Sequence, residues 1–367
     1  MNFSYPDDKS LIQDNLKKLF KKYSEEKYLS KFNNNKFDIN LLNDLRHNGY
    51  LFNLNKHLSQ IDLDILTLSY VNEEIGYNCA PLDPTSFISD VLMTVDESSW
   101  KNKDSFIAEL INDKNYFCTS ALQEPFNFDL DSPQTYGVQK RDGYIINGTK
   151  ICIYNIELSK NIIVSFISDD GILLALIPTS SIDYVRTINT SSQPYSKILF
   201  KDYLIPFDTI INKSGEGLEL LRDCNHRRIL LQAAFAKGLT LRMIELTAQY
   251  TSEREQFGKP IGSFQAVAHR AADCYIENQI LELHFQQAMY KYQLKQQCEN
   301  EIYNLKYILG NALHNISYAS QHLHGGMGVA KEYPLWRFCL AAKDLEISYG
   351  NSTSSLNRVG KNITLNQ

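Results

Sequence analysis

Apolar residues recur at helical spacing near both ends of the chain. Close to the N-terminus, Leu16 and Leu19 belong to such a pattern, and the stretch FDINLLNDLRHNGY offers Asp38 as a helix N-cap and Gly49 as a stop. Beyond about residue 215, long segments place apolar residues three and four positions apart, as in 300–323. The pattern predicts helices in both terminal parts.

The middle of the chain, residues 115–210, follows another pattern. Runs rich in Ile, Val, Tyr and Phe alternate with pairs of turn residues. The pairs are Asp142-Gly143, Asn147-Gly148 and Asp170-Gly171, which are typical of two-residue hairpins. The pattern predicts an antiparallel sheet.

The order of these blocks predicts a mostly α protein with a central β-domain. We expect an N-terminal helical domain over 1–112, a middle β-domain over 113–212 and a C-terminal helical bundle over 213–367. No internal repeat or low-complexity linker separates the blocks, so we expect one compact unit.

Composition narrows the classes of protein. The 367 residues are 43% hydrophobic and carry a formal net charge of −5, which gives no basic surface for nucleic acid. The seven cysteines have no CxxC spacing, which favours reduced thiols over disulfides or a zinc or other metal site. With no long apolar run, the sequence predicts a cytoplasmic protein without membrane contact.

Four stretches carry the candidate chemistry. They are SALQEP (120–125), GYIINGTKICIYN (143–155), SEREQFGKPIGSFQ (252–265) and QHLHGGMGVAKEYPLWR (321–337). The GGxG of the last stretch follows a predicted helix, whereas a dinucleotide fingerprint of the Rossmann type follows a strand. A Rossmann interpretation is therefore excluded.

Together and in this order, the four stretches resemble the acyl-CoA dehydrogenase family of flavoproteins. The resemblance runs along essentially the whole chain. It implies an N-terminal helical domain, a middle β-domain, a C-terminal four-helix bundle and one FAD per subunit. It also implies a homodimer or homotetramer, in which the neighbouring subunit helps to hold the adenine and pyrophosphate end of FAD.

The resemblance assigns several residues to FAD. Arg254 matches an arginine that pairs with the pyrophosphate, for which a planar guanidinium is suited. Gly325 and Gly326 match glycines that let the backbone approach the dinucleotide. The remaining matching positions are Leu122, Gln123, Gln256, Phe257 and Gln265.

Some positions on the flavin side depart from the family pattern. Gln123 replaces the usual Thr, and Cys152 and Tyr154 replace the Trp and Thr that usually lie against the flavin ring. His322 stands where a Gln normally contacts FAD, although Gln321 is one residue away. The resemblance thus implies a kept dinucleotide side and a remodelled substrate side.

The family's catalytic glutamate is missing from its usual place. An ungapped count from Gly325 puts Tyr349 on the glutamate, Gly350 on the following glycine near the substrate carbonyl, and Asn351 on the FAD-contacting threonine. A tyrosine has a reference pKa of about 10, so ionising it at pH 7 costs roughly 4 kcal/mol. Tyr349 is therefore a weak candidate base.

Some family members carry their glutamate on an earlier helix. That position is Arg228 here, or Arg227 after a one-residue shift. An arginine can hold a negative substrate oxygen but does not abstract a proton. Glu346, one turn before Tyr349, is a possible stand-in, and its alternative interpretation is a surface helix acid.

These departures predict an unusual reaction. We expect an FAD-dependent oxidoreductase that oxidises a short hydroxy- or aminoacyl thioester, carried by an acyl carrier protein or CoA in polyketide or peptide biosynthesis. Its electron acceptor would be a flavoprotein or O₂. The alternatives are a flavin-dependent monooxygenase of the same fold and a non-catalytic, FAD-stabilised interaction protein.

Overall fold

A computed structural model describes residues 7–29, 31, 37–51, 53–55, 60–62, 64–113, 115–187, 189, 191 and 193–365. Its architecture is mostly helical with a central curled sheet, which confirms the predicted fold class. The seven cysteines, all within the described ranges, form no disulfide. Within the described ranges, no helix is both long and apolar enough to cross a membrane.

The helices occupy both terminal parts of the chain. They are α1 (Asp7–Lys21), α2 (Glu26–Leu29), α3 (Ile39–His47), α4 (Ile65–Asn78), α5 (Thr85–Phe87), α6 (Thr94–Glu97), α7 (Lys103–Asn112), α8 (Gly217–Glu253), α9 (Gln265–Gln293), α10 (Glu299–His324), α11 (Leu335–Ile347) and α12 (Ser352–Leu365). A π-helix, Ile88–Met93, lies between α5 and α6. The carboxylate of Asp38 caps α3 by accepting from the backbone N–H groups of Asn40 and Leu41, as predicted.

The strands lie mainly in the middle of the chain. They are β1 (Asn53–Asn55), β2 (Gln60–Asp62), β3 (Cys118–Ala121), β4 (Tyr136–Lys140), β5 (Gly143–Tyr154), β6 (Asn161–Ser168), β7 (Gly171–Pro178), β8 (Tyr184–Thr187), β9 (Tyr195–Pro206), β10 (Glu255–Gln256) and β11 (Lys259–Pro260). The large sheet has the order β3-β6-β4-β5-β9-β8, and β7 pairs with β6. Its core contains Ile146, Val164 and Phe166.

Most strand pairs are antiparallel, but β6 runs parallel to β3 and β4. The sheet is therefore mixed and not wholly antiparallel as expected. The reason is topological, because the β4–β5 hairpin lies between β3 and β6 along the chain. The return to β6 brings it alongside β3 in the same direction.

Two of the three predicted hairpins are present. Lys140 pairs with Gly143 and Ser168 pairs with Gly171, so each loop has two residues and the glycine opens the next strand. The central residues of each turn thus lie one position earlier than predicted.

The third prediction, a turn at Asn147-Gly148, is wrong. This pair lies inside β5 at an irregularity in the pairing with β9. A Cβ on Gly148 would stand 2.4 Å from Oγ1 of Thr135, so the glycine serves close packing. Asn147 exchanges two hydrogen bonds with Asp202: its Nδ2 donates to the carboxylate at 3.1 Å, and its Oδ1 accepts from the backbone N–H at 2.9 Å.

The chain divides into two compact units, so the expectation of one compact unit is wrong. The sheet unit contains Asn34–Leu63 and Asp83–Arg228, and the helical unit contains Met1–Asn33, Asp64–Leu82 and Ile229–Gln367. The predicted boundaries at residues 112 and 212 stay a prediction.

In the helical unit, α4 and α8 are in backbone contact. A Cβ on Gly76 would lie 2.0 Å from the carbonyl oxygen of Phe235, and a Cβ on Gly238 would lie 1.9 Å from that of Glu73. Because backbone atoms fill this space, only glycine fits at either position.

Candidate functional site

The SALQEP stretch leaves β3 and enters the loop that precedes β4. Leu122 is buried, and Gln123 is partly buried. The carbonyl of Gln123 accepts a hydrogen bond from the backbone N–H of Ile151 on β5 at 3.0 Å. The two positions that the resemblance assigns to the flavin ring are thereby fixed against the sheet.

The buried side chain of Glu124 fixes this loop to the neighbouring strands. Its carboxylate accepts from the ammonium of Lys150 at 2.8 Å and from the backbone N–H and hydroxyl of Thr135 at 2.8 and 2.6 Å. Burial alone would raise the pKa of Glu124, but Lys150 and the hydrogen bonds from Thr135 and Gln134 outweigh it and lower the pKa to about 2. The side chains of Lys150 and Glu124 are 0% and 2% exposed, so the loop rests on a buried ion pair.

Cys152 and Tyr154 lie near the end of β5. Cys152 has a φ of 54°, and the pairing with β9 is irregular between Lys150 and Ile153. Such a bulge redirects a side chain from the regular alternation of a strand. Tyr154 is buried, and its backbone carbonyl accepts from the hydroxyl of Thr119 at 2.6 Å.

Arg228, expected to face substrate, is held by an acid that the sequence does not reveal. Its Nε donates to Oδ1 of Asp90 at 3.1 Å, and its NH2 group contacts Oδ2. Ser120 donates its hydroxyl proton to the same carboxylate at 2.5 Å. The two charged side chains are 2% and 0% exposed, so Arg228 forms a buried ion pair inside the sheet unit. Its role in substrate binding stays a prediction.

Asp90 belongs to the π-helix Ile88–Met93, a rare conformation that is frequent at functional sites. Asp90 and Arg228 are 138 positions apart in the chain, so no local pattern links them. Arg227, the other position considered for the base, binds Glu97 at 2.6 Å and also pairs with Asp223.

In the helical unit, the segment after α8 forms a small exposed hairpin. β10 pairs with β11 around Phe257 and Gly258, whose φ values are 54° and 79°. Phe257 is 92% exposed and meets Phe264 edge to face. Arg254, Gln256 and Gln265 are also exposed around this hairpin, as residues that bind an external group must be.

Gly325 and Gly326 follow the last residue of α10 and are exposed to solvent. Gly325 has a φ of 57°, and a Cβ on either glycine would have no atom within 4 Å. His322 is exposed, with its Nδ1 3.4 Å from Arg270, whereas Gln321 is partly buried. An exposed guanidinium and bare glycine backbone are the donor set that the pyrophosphate of a dinucleotide requires, so the segments fit FAD.

Tyr349 and Gly350 form the turn between α11 and α12. Both have positive φ values, 53° and 95°, and Tyr349 is buried. Asn351 caps α12 by accepting from the backbone N–H of Ser354 at 2.9 Å. Glu346 contacts the ammonium of Lys343 at 2.6 Å and Nδ1 of His314 at 3.3 Å, so its carboxylate already has a cationic neighbour in Lys343. No group of three potential metal ligands occurs among the described residues.

Comparison with known proteins finds relatives in one family. The family model "Acyl-CoA dehydrogenase, C-terminal domain" matches residues 215–364. FadE28, an acyl-CoA dehydrogenase of Mycobacterium tuberculosis, is 27% identical over 75% of this chain and 77% of its own length. FadE27 of the same organism is 35% identical, but the match covers only 36% of this chain and 38% of that protein.

The L-prolyl-[peptidyl-carrier protein] dehydrogenase of a Serratia strain is 27% identical over 65% of this chain and 64% of its own length. The structure of PigA with FAD and proline superposes with a TM-score of 0.90 at 20% identity and covers both chains fully. Residues 215–364 therefore match the C-terminal domain of the acyl-CoA dehydrogenase family, and the similarity to a member of this family extends over 75% of the chain.

Proposed function

We propose that the protein oxidises a short hydroxy- or aminoacyl thioester carried by an acyl carrier protein. The observation that carries this proposal is the chemistry at the two base positions. The family resemblance puts Tyr349 at one of them and Arg228 at the other, and Arg228 pairs with Asp90. The similarity to a dehydrogenase that acts on a carrier-bound prolyl group supports a substrate of this kind.

The missing acid matters most for ordinary acyl-CoA desaturation. That reaction removes a proton from carbon, and a positioned base contributes about 10²–10⁴-fold to such a step. Oxidation of an alcohol or amine releases its proton from oxygen or nitrogen instead, which demands a weaker base. FAD, when bound, supplies the hydride acceptor.

The chain's own residues would bind and orient this substrate. Backbone N–H groups around Gly350 would donate to the thioester carbonyl. The turn is preformed, because α11 and α12 fix both of its ends. We also propose that the electron acceptor is a flavoprotein or O₂ and that the protein is a homo-oligomer.

Anaerobic mixing with substrate tests the proposal directly. A hydroxy- or aminoacyl thioester on a carrier protein should bleach the oxidised flavin absorbance without any other reductant. Butyryl-CoA and octanoyl-CoA, whose acyl chains carry neither a hydroxyl nor an amino group, are the matched controls and should bleach it slowly or not at all. Fast bleaching by either control would contradict the proposal. Two results together would establish the monooxygenase alternative. No thioester would bleach the oxidised flavin, and enzyme reduced beforehand would consume O₂ when substrate is added.

A further inference from the structure

The turn at Tyr349 is conformationally strained. Tyr349 and Gly350 both have φ values in the left-handed region, and tyrosine, unlike glycine, carries a Cβ there. A non-glycine residue in this region costs about 1–3 kcal/mol and persists only where the surroundings fix it. The turn therefore needs an anchor.

Lys306 on α10 supplies that anchor from the side of α11. Its ammonium donates to the carbonyl of Ser348 at 2.7 Å and to that of Leu345 at 3.3 Å. It also donates to Oε1 of Gln232 on α8 at 2.9 Å, and the residue is 1% exposed. The last carbonyls of a helix have no partner within the helix and carry partial negative charge, so a buried cation is favoured there.

The same part of α10 also holds the far side of the turn. The hydroxyl of Ser352, the first residue of α12, donates to the carbonyl of Tyr307 at 3.3 Å. A Cβ on Gly310 would lie 2.2 Å from this hydroxyl oxygen. Consecutive residues of α10, Lys306 and Tyr307, thus bind the chain immediately before and shortly after Tyr349 and Gly350.

We infer that Lys306 is a positioning residue that sets the backbone of Tyr349 and Gly350 for the substrate carbonyl. The inference rests on the proposed function, because that function places the carbonyl at this turn. Lys306 acts through the carbonyls of Ser348 and Leu345, so it need not touch substrate. Its removal should disturb substrate orientation while leaving the exposed Arg254 hairpin unchanged.

Hydrogen exchange in the FAD-loaded protein tests the anchor without any substrate. In Lys306→Met, which keeps a long side chain but no donor, the backbone amides of Ser348 and Asn351 should exchange at least about tenfold faster. These amides flank the strained turn and donate to the carbonyl of Asp344 at 3.1 Å and to Oγ of Ser354 at 3.0 Å, bonds that open more often once the turn loses its fixed partner.

Lys237→Met is the matched control. Lys237 is another buried lysine of the helical unit, bound to Glu282 at 2.6 Å and Glu73 at 3.2 Å, and its loss should leave exchange at the turn unchanged.

Kinetics then test the link to function. With the thioester that bleaches the wild-type flavin, Lys306→Met should lower the bleaching rate by up to about 10²-fold, the effect of a small misplacement of reacting groups. FAD affinity should stay within about twofold of wild type. If Lys306→Met fails to fold, Gln232→Leu, which removes one acceptor of the ammonium, should show both effects in the same direction and smaller.

The outcomes separate the two proposals. Unchanged exchange at Ser348 and Asn351 would overturn the anchoring role whatever the reaction proves to be. Faster exchange with an undiminished bleaching rate would overturn the positioning role, because the turn would then not serve the reacting groups. If no thioester bleaches the wild-type flavin, the proposed function fails and positioning for that reaction fails with it, while the exchange result still decides the anchor.

Discussion

Buried ion pairs dominate the site at the scale of single residues. Replacing Glu124 with Gln would leave the ammonium of Lys150 buried beside a neutral group, which should lower the free energy of unfolding by about 3–5 kcal/mol. The double variant Glu124→Gln/Lys150→Met should lie closer to wild type than Glu124→Gln alone. Urea unfolding of each variant measures both effects.

The exposed pair Lys160–Asp113, with N and O atoms 2.7 Å apart, is the control. Lys160→Met should change stability little, because water screens this pair. If Lys160→Met lowered the free energy of unfolding as much as Glu124→Gln, burial would not be the reason for the larger contribution of the Glu124–Lys150 pair.

The titration of Glu124 should also make stability depend on pH. The folded-state pKa of Glu124 is lowered from an ordinary value of 4.5 to about 2, so its stabilising contribution is complete above about pH 4.5. It is lost as the pH falls from about 4.5 towards 2. Unfolding free energies measured over this window should fall less steeply in Glu124→Gln than in wild type.

The predicted absence of a catalytic base gives a third prediction for single residues. Tyr349→Phe should retain at least about a tenth of the wild-type bleaching rate, because a phenol near its reference pKa contributes little as a base. Glu346→Gln, measured beside it, tests the other acid near the turn. A fall of about a thousandfold in either variant, with FAD still bound, would identify that residue as the base.

Local sequence patterns reveal Glu124 but not the buried cations Lys150 and Lys306. Glu124 stands in a recognisable motif, but its partner Lys150 lies 26 positions away on a strand. Lys306 occurs in a regular amphipathic helix and resembles an ordinary surface lysine. Burial is decided by tertiary packing, so these cations could not be recognised from local patterns.

Close packing of α4 on α8 can be tested at the scale of elements. Gly238→Ala would force a Cβ to within 1.9 Å of a backbone oxygen, so the helices must separate. We expect a loss of about 1–3 kcal/mol or more, as for other overpacked sites. Chemical denaturation provides the measurement.

Gly360→Ala is the matched control for this prediction. Gly360 lies in α12, is exposed, and a Cβ at this position would have no atom within 4 Å. Alanine should stabilise this helix by about 0.5–1 kcal/mol, since glycine loses more conformational freedom on folding. Equal destabilisation at both glycines would show that backbone contact is not the cause.

The elements were predictable where their signals are local. Long helices and the hairpins at Asp142 and Asp170 follow from periodicity and turn residues. The π-helix, the parallel pairing of β6 and the irregularity at Asn147 do not, because each depends on contacts between distant segments. Thr135, whose side chain leaves no room for a Cβ at position 148, directly precedes β4, whereas Gly148 lies in β5.

At the scale of the whole molecule, we expect a yellow oligomer. Arg254→Ala should lose FAD more readily during gel filtration, because a charge-assisted contact to pyrophosphate contributes about 1.5–3 kcal/mol. Arg141→Ala, at an exposed turn of the sheet unit, is the control and should retain FAD. The ratio of flavin to protein absorbance measures retention, and a colourless wild-type monomer that does not bind added FAD would contradict the expectation.

The similarity to acyl-CoA dehydrogenases was predictable from the sequence, whereas the reaction was not. Arg254, Gly325 and Gly326 lie in conspicuous motifs, so a dinucleotide site could be predicted there from the sequence, and this assignment stays a prediction. The predicted substrate side consists of residues that replace the family pattern, such as Tyr349 and Cys152. A replacement shows which chemistry has been lost, but the new chemistry depends on side chains brought together by folding.

Asn147, which is exposed and precedes Gly148, also has a consequence for storage of the purified protein. Asparagine is thermolabile, and a following glycine leaves its side chain open to attack by the next backbone nitrogen. Deamidation at this position would create a carboxylate opposite Asp202, whose carboxylate now accepts from Nδ2 of Asn147. Ageing would thus replace a hydrogen bond between β5 and β9 with repulsion between two acids, and older samples would become more acidic and melt earlier.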